Sequence, residues 1–453
     1  MNDETAAEKP NLKRELGLIQ ATAINMIDMV GIGPFVVLSL VIQIMGGPYF
    51  LLAWIAGAVI SLIDGMIWAE LGAANPKAGG SYNFLKEAYG ENTWGRLLSF
   101  LLVWQTLFQA PLVIASGSIG FSQYLSYLVP AMDTIGRKCV SGGVVIILTI
   151  LLYRRIESIG KISVLLWTGV LVTMGWIIWG GVTRGTIHNN FIPDDPSVMM
   201  HTMFFVALGQ ASVKTIYSYL GYYNVCHLGG EIKDPGKNIP RSIFISVIGI
   251  AILYLAMNIS VVSVIPWQDA QHSDFVVSTF IETLYGSGAA VLVTVFVLWV
   301  AFASLFSVML GYSRIPYAAA ADGRFFKVFA KLHPTKNFPY ISLLGLGATA
   351  FIFSLLFRLS DVITAILAMR IMVQFIGQAI GVTLLRKRKG TANLPFKMFL
   401  YPLPVIVIVI IWLLIFISTG WQFAVSGVIV TILGITAYLI AARMQSWWPF
   451  EKK

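Results

Sequence analysis

The sequence predicts an all-α integral membrane protein with about twelve transmembrane helices in a single domain. Its first ten spans form two five-span halves of opposite topology, with a broken helix at the matching place in each half. Three observations predict this. About twelve apolar runs of roughly 18–25 residues follow one another along the 453 residues, each long enough to cross a ~30 Å hydrocarbon core. Apolar residues make up 57% of the chain and charged ones 11%, with a mean hydropathy of +0.79, so almost nothing is left for a soluble domain. Glycine interrupts two of the runs near their centres, at Gly31-Ile32-Gly33-Pro34 and at Leu220-Gly221.

Taken in order, the spans fall at about 18–45, 49–71, 94–128, 138–153, 158–181, 202–228, 242–265, 288–317, 340–357, 360–384, 398–418 and 422–442. The first and sixth carry the interruptions, 190 positions apart from Gly31 to Gly221. The long third span and the eighth are offset by a similar distance. Repeat one covers about 18–181, repeat two about 202–384, and two extra helices occupy about 398–442. Span 1 and span 6 run in opposite directions, so the repeats are inverted. The first sixteen residues, Met1 to Leu16, are polar and charged, unlike a signal peptide.

The formal charge of +10 is distributed as a membrane protein distributes it, and no nucleic-acid partner is expected. Alternate loops carry Lys77 and Lys86; Arg154, Arg155 and Lys161; Lys233, Lys237 and Arg241; Arg314, Arg324, Lys327, Lys331 and Lys336; and Arg386 to Lys389. The intervening loops are poorer in Lys and Arg. This bias puts both termini in the cytoplasm of a multi-pass protein, and the expected location is the plasma membrane (the inner membrane in a bacterium). Cys139 and Cys226 are expected to be free thiols.

A membrane helix broken in its middle leaves backbone N–H and C=O groups unpaired where no water is available, so the break has to line a cavity. Paired breaks in two halves are the sequence mark of a secondary transporter's midplane site. A half-helix starting after Gly33 offers N–H groups and a positive dipole end to a carboxylate. Half-helices that end upstream offer carbonyls to an ammonium. A zwitterionic amino acid meets both demands. The bland reading, glycines that only allow close helix packing, suits an isolated glycine better than this pair.

The motifs, in order, resemble the amino acid–polyamine–organocation transporters with the LeuT-type fold. Gly31-Ile32-Gly33-Pro34-Phe35 is similar to that family's first break. Ala69-Glu70-Leu71-Gly72 through Gly79-Gly80-Ser81-Tyr82 resembles its segment after span 2. Gly229-Gly230-Glu231-Ile232-Lys233-Asp234-Pro235 resembles the one after span 6, and Ser313-Arg314 through Ala321-Asp322-Gly323 the one after span 8. The flavour is nearest to the L-type transporters and bacterial amino acid permeases. The resemblance implies alternating access, with substrate held at Asp28, Gly31, Ile32, Gly33, Tyr217, Ser218, Tyr219, Leu220 and Gly221. It gives Tyr217 the place of a gating aromatic and Tyr222 that of a second.

The substrate is then an amino acid or related amine, with polyamine or organocation uptake on the same fold as the alternative. The polyamine branch places a carboxylate in span 10, where this chain has Gln374 and Gln378.

Ionisable residues at membrane depth are costly and are usually paired or functional. Asp28, Asp64, Lys214 and Arg370 fall there, and Asp28 is expected either to serve substrate or proton or to pair with Lys214 or Arg370. Glu70 reads as a helix-end contact and His227 as a helix-end or packing residue. The candidates for ion coupling are Asp28, Asp64, Lys214, Ser304 and Ser307. Sodium-coupled relatives use span 8 hydroxyls facing span 1 carbonyls. The lysine that sodium-independent relatives often carry in span 5 is replaced here by Gly169. Sodium, proton and exchange all stay open, as does an anionic substrate.

No zinc-type spacing, nucleophile elbow or P-loop occurs, so neither an enzyme nor a metal or other cofactor is expected. A membrane sensor sharing the span count is the remaining class.

Overall fold

The computed structural model of the chain describes residues 12–186, 202–356 and 369–450. Among them every regular element is helical, and the β contacts are two isolated bridges, Leu16 with Ile232 and Ala78 with Leu228. Seven helices are individually long and apolar enough to cross a membrane, and one bent pair makes an eighth. Three shorter apolar helices accompany them. The chain is therefore a multi-pass helical protein.

The bent pair is α1 (Leu18–Met29) and α2 (Gly33–Met45), which meet at 44°. Pro34 lies in the first turn of α2, where its missing N–H costs nothing. Next come α3 (Phe50–Ala74), α4 (Ser81–Tyr89) and α5 (Gly95–Leu125), the last two joined through a π-turn at Gly90–Trp94. The sequence expectation of one span from 94 misses α4, whose polar face carries little membrane signal. Then follow α6 (Thr134–Leu152), α7 (Ile156–Arg184) and α8 (Thr202–Tyr219).

The expected 202–228 span thus ends at Tyr219 and resumes as the one-turn α9 (Asn224–His227). Gly221, between them, has φ +124°, which an L side chain rarely adopts.

The later elements are α10 (Pro235–Val262), α11 (Trp267–Ala270), α12 (Val276–Tyr285), α13 (Ser287–Tyr312) and α14 (Arg314–Ala321). After them come α15 (Tyr340–Leu356), a π-turn at Ile371–Ile376, α16 (Gly377–Lys389), α17 (Leu403–Ser418) and α18 (Trp421–Met444). The first nine residues of the expected 360–384 span, 360–368, lie outside the described residues.

α10 starts seven residues before its expected 242 because its first turns are polar. α12 was not expected. Its buried Val276, Val277, Phe280 and Ile281 recur at helical spacing on one side, packed against α13 and α2.

Ion pairs join the basic segments that the charge pattern assigns to one face. Arg386 and Glu70 form a two-pronged pair, both contacts 2.6 Å, and the Met398 N–H donates to Glu70 Oε2 at 2.7 Å. Arg314 pairs with the fully buried Glu231 at 2.9 Å, Lys86 with Asp322 at 2.5 Å, and Lys389 with Glu87 at 2.6 Å. Glu70 is thus a helix-end anchor. Around α12 and the turn before it, Ser39 of α2 donates to Ser273 O, Tyr127 to Glu282, and Arg184 of α7 to Leu284 O.

Candidate functional site

The two breaks face each other. A Cβ added at Gly221 would lie 2.8 Å from the Asp28 carboxyl carbon and from the Met29 nitrogen. One added at Gly33 would lie 3.4 Å from Ser218 Oγ, and one at Gly31 2.8 Å from Ser304 Oγ. Glycine therefore lets the backbones of α1–α2, α8–α9 and α13 converge on one place.

A cavity of about 70 Å³ lies there, room for about two water molecules. Its lining includes Asp28, Gly31, Ile32, Gly33, Tyr217, Ser218, Leu220, Gly221 and Ser304. Tyr219, Tyr222, Asp64, Lys214 and Ser307 are not among its lining residues. Met29, Tyr223, Tyr312 and Arg370 complete its polar and aromatic side, and Val113, Gly117, Ala301, Leu305 and Val308 its apolar side.

Backbone accounting at the breaks shows what is free. Among the described residues, the N–H groups of Ile32, Gly33 and Phe35 at the start of α2 have no backbone acceptor. The carbonyls at the ends of α1 and α8 are better supplied. Ser304 Oγ donates to Asp28 O at 3.1 Å. The buried Tyr254 hydroxyl, from α10, lies 2.7 Å from Met29 O and 3.0 Å from Ser218 O, between the ends of both half-helices. Nothing in the residue pattern marks Tyr254, since a tyrosine inside an apolar helix looks like ordinary packing.

Arg370 is 2% exposed and lies over the rings of Tyr223, Phe375 and Tyr312 at 5.0, 5.2 and 5.8 Å. Its Nε donates to Gln374 Oε1 at 2.8 Å, while Nη2 has no hydrogen-bond partner among the described residues. Gln374 and Gln378 in turn both donate to Ser81 Oγ. No ion pair within 4.0 Å joins Asp28 to Arg370 or Lys214 among the described residues. Asp28 and Arg370 feel each other only through the Coulomb field.

The other predicted residues hold the frame around the cavity. Asp64 accepts from Tyr222 Oη at 2.5 Å, Trp68 Nε1 at 2.8 Å and Trp412 Nε1 at 3.1 Å, tying α3 and α17 to the unwound segment. Tyr219 is fully buried, edge-on to Trp54 and Tyr254. Ser307 Oγ donates to Ile24 O at 2.6 Å, and Asn224 Nδ2 donates to both oxygens of Ser307 at 2.8 Å. Lys214 is half-buried in α8.

His227 packs among Trp68, Tyr223 and Tyr312. At Gly169 the space for a side chain is filled by the Trp299 indole, whose Nε1 donates to Leu166 O at 3.2 Å.

Residues 16–442 match the family model described as amino acid permease. The serine/threonine exchanger SteT of Bacillus subtilis (strain 168) is 26% identical over 88% of this chain and 90% of its own. The branched-chain amino acid permease BcaP of the same organism is 23% identical over 98% and 96%. The human Asc-type amino acid transporter 1 is 27% identical over 97% and 84%. With the match covering nearly the whole chain, the protein belongs to the amino acid permease family.

Proposed function

We propose that the protein is a secondary transporter of amino acids, and that substrate binds between the unwound centres of the first and sixth spans. The observation that carries the placement is the cavity at which both breaks meet, with the uncapped start of α2 on its wall. The N–H groups of Ile32, Gly33 and Phe35 suit a carboxylate, helped by the helix dipole. Asp28 and the remaining carbonyls suit an ammonium. Tyr217 acts as the outer lid and the Asp64–Tyr222 bond holds the unwound segment to the frame. Twelve spans, inverted repeats and alternating access complete this reading, with both termini on the cytoplasmic side of the plasma membrane. The mutual contacts among the basic loops support that sidedness.

The unpartnered Nη2 of Arg370 favours substrates whose side chain carries a hydrogen-bond acceptor, anionic ones included. The same guanidinium counts against a polyamine, which would meet a buried positive charge where it needs carboxylates. Ser304 and Ser307 stay the proposed contacts for a coupling ion. A cation there has to displace hydroxyls from the carbonyls of Asp28 and Ile24.

Uptake of radiolabelled amino acids into proteoliposomes is the test, with and without sodium, a pH gradient or internal amino acid. Saturable uptake of an amino acid, abolished by Gly33→Leu with folding retained, is the expected result. No uptake of any amino acid under any gradient would overturn the function, and full uptake by folded Gly33→Leu would overturn the placement. For the topology, reporters fused at Asp274 and at Lys387 should report opposite sides.

A further inference from the structure

Away from the central cavity, a second hollow of about 670 Å³ opens between the α6–α7 turn and the segment leading into α15. Its walls bear Arg154, Arg155 and Lys336, with the hydroxyls of Ser158 and Thr335. No carboxylate lines it. Among the described residues, neither guanidinium has a hydrogen-bond or ion-pair partner, and both residues are exposed.

The remaining lining is apolar and faces outward: Ile150 is 66% exposed and Leu344 44%. In a chain that spans a membrane, such side chains belong against acyl tails.

Contacts across the hollow also tie its two walls together. Tyr153 stands edge-on to His333, Phe338 and Tyr340, and Lys336 Nζ donates to Tyr153 O at 2.9 Å while lying 4.7 Å over its ring. Thr335 is held on His333 Nδ1 by its N–H at 3.3 Å, with its hydroxyl 3.4 Å from the same nitrogen. Arg155 is the N-cap of α7 and no side chain caps it, so the positive end of that 29-residue helix lies on the same wall; the first-turn Glu157 is exposed and is not part of the lining.

We propose that this hollow binds the phosphate of an anionic phospholipid headgroup, with Arg154 and Arg155 as its principal contacts and the acyl chains along Ile150 and Leu344. A preformed concavity with three cations, two hydroxyls and no acid fits a phosphodiester. The apolar rim fits the lipid rather than a free anion. Basic pockets between spans on the positively charged face are where such headgroups bind.

The test is native mass spectrometry of the detergent-solubilised protein with phosphatidylglycerol, phosphatidylcholine or inorganic phosphate. The wild type should retain one phosphatidylglycerol in preference to phosphatidylcholine. The double variant Arg154→Gln/Arg155→Gln should retain it roughly 25-fold more weakly, at about fivefold for each cation removed. Both residues are exposed and have no side-chain partner among the described residues, so the fold tolerates the change.

Lys331→Gln/Lys387→Gln removes the same charge elsewhere on that face and should bind as the wild type does. Equal loss in this control, or undiminished retention in the arginine variant, would overturn the site. Displacement of the lipid by millimolar phosphate would overturn the lipid as its occupant.

Discussion

Gly221 rests directly on Asp28: a Cβ at Gly221 would fall 2.8 Å from the Asp28 carboxyl carbon, and the glycine holds φ +124° to make that approach. The break in one half of the chain is thereby keyed to the break in the other. Both residues line the cavity between the breaks.

Gly221→Ala should therefore abolish transport. The unfavourable φ alone costs of order 1–3 kcal/mol, and the methyl group also collides with α1 backbone. Gly33→Ala is the contrast, because its Cβ meets Ser218 at an ordinary 3.4 Å and no positive φ is required. Uptake assays on both alanine variants, matched for folded protein by size-exclusion profile, decide the matter. Equal activity of the two would mean that the close approach at Gly221 is dispensable.

Much of this was legible because membrane physics writes large signals. Twelve apolar runs and two glycine breaks stand out, and the breaks near Gly31 and Gly221 do converge. Side-chain partners were not legible. Asp64 looked like a deep ionisable group, yet it is a three-donor acceptor whose partners Trp68, Tyr222 and Trp412 come from three separate stretches of chain. Arg370 looked like a partner for Asp28, yet its Nε goes to Gln374, one helical turn away. Periodicity reports which face is apolar, not which distant residue a polar group meets. The amphipathic α12 shows in its own spacing, but at ten residues it is too short to register as a membrane span.

Tyr254→Phe removes one oxygen that lies between Met29 O and Ser218 O. Left without a donor, buried carbonyls of this kind cost about 1–3 kcal/mol. The variant should melt at a lower temperature in detergent and show reduced uptake, while added substrate should still stabilise it because the cavity wall itself is intact. An unchanged melting temperature would show that the hydroxyl does not hold the two half-helices together.

Tyr217 lines the cavity with its ring, and its hydroxyl lies 3.4 Å from Ser116 Oγ. As a lid, it acts through the area of the ring and through a swing about a single χ1. Tyr217→Phe should then be mild and Tyr217→Ala should cut transport strongly. Thiol labelling of cysteines engineered nearby, with and without substrate, separates covering from hydrogen bonding. If Phe proved as damaging as Ala, the hydroxyl rather than the ring would be the working part.

Arg370 is the residue expected to set which amino acids are accepted. Arg370 lines the same cavity as Asp28, and its Nη2 has no hydrogen-bond partner among the described residues, so a substrate held between the breaks by its α-groups brings its side chain within the field of a buried guanidinium. A charge-assisted hydrogen bond to such a group is worth about 1.5–3 kcal/mol, or roughly 10- to 150-fold in affinity. Arg370→Gln should weaken competition by substrates with an acceptor side chain by about that factor and leave apolar amino acids nearly as effective.

Removing the cation also strips Asp28 of its nearest compensating charge, which endangers folding on its own account. Asp28→Asn/Arg370→Gln controls for this, and melting temperatures with and without substrate show whether each variant is folded. The readout is the rank order of unlabelled amino acids in a competition panel. A panel whose rank order is the same in wild type and in folded Arg370→Gln would mean that the guanidinium serves the frame, through Gln374 and Ser81, and does not read the substrate.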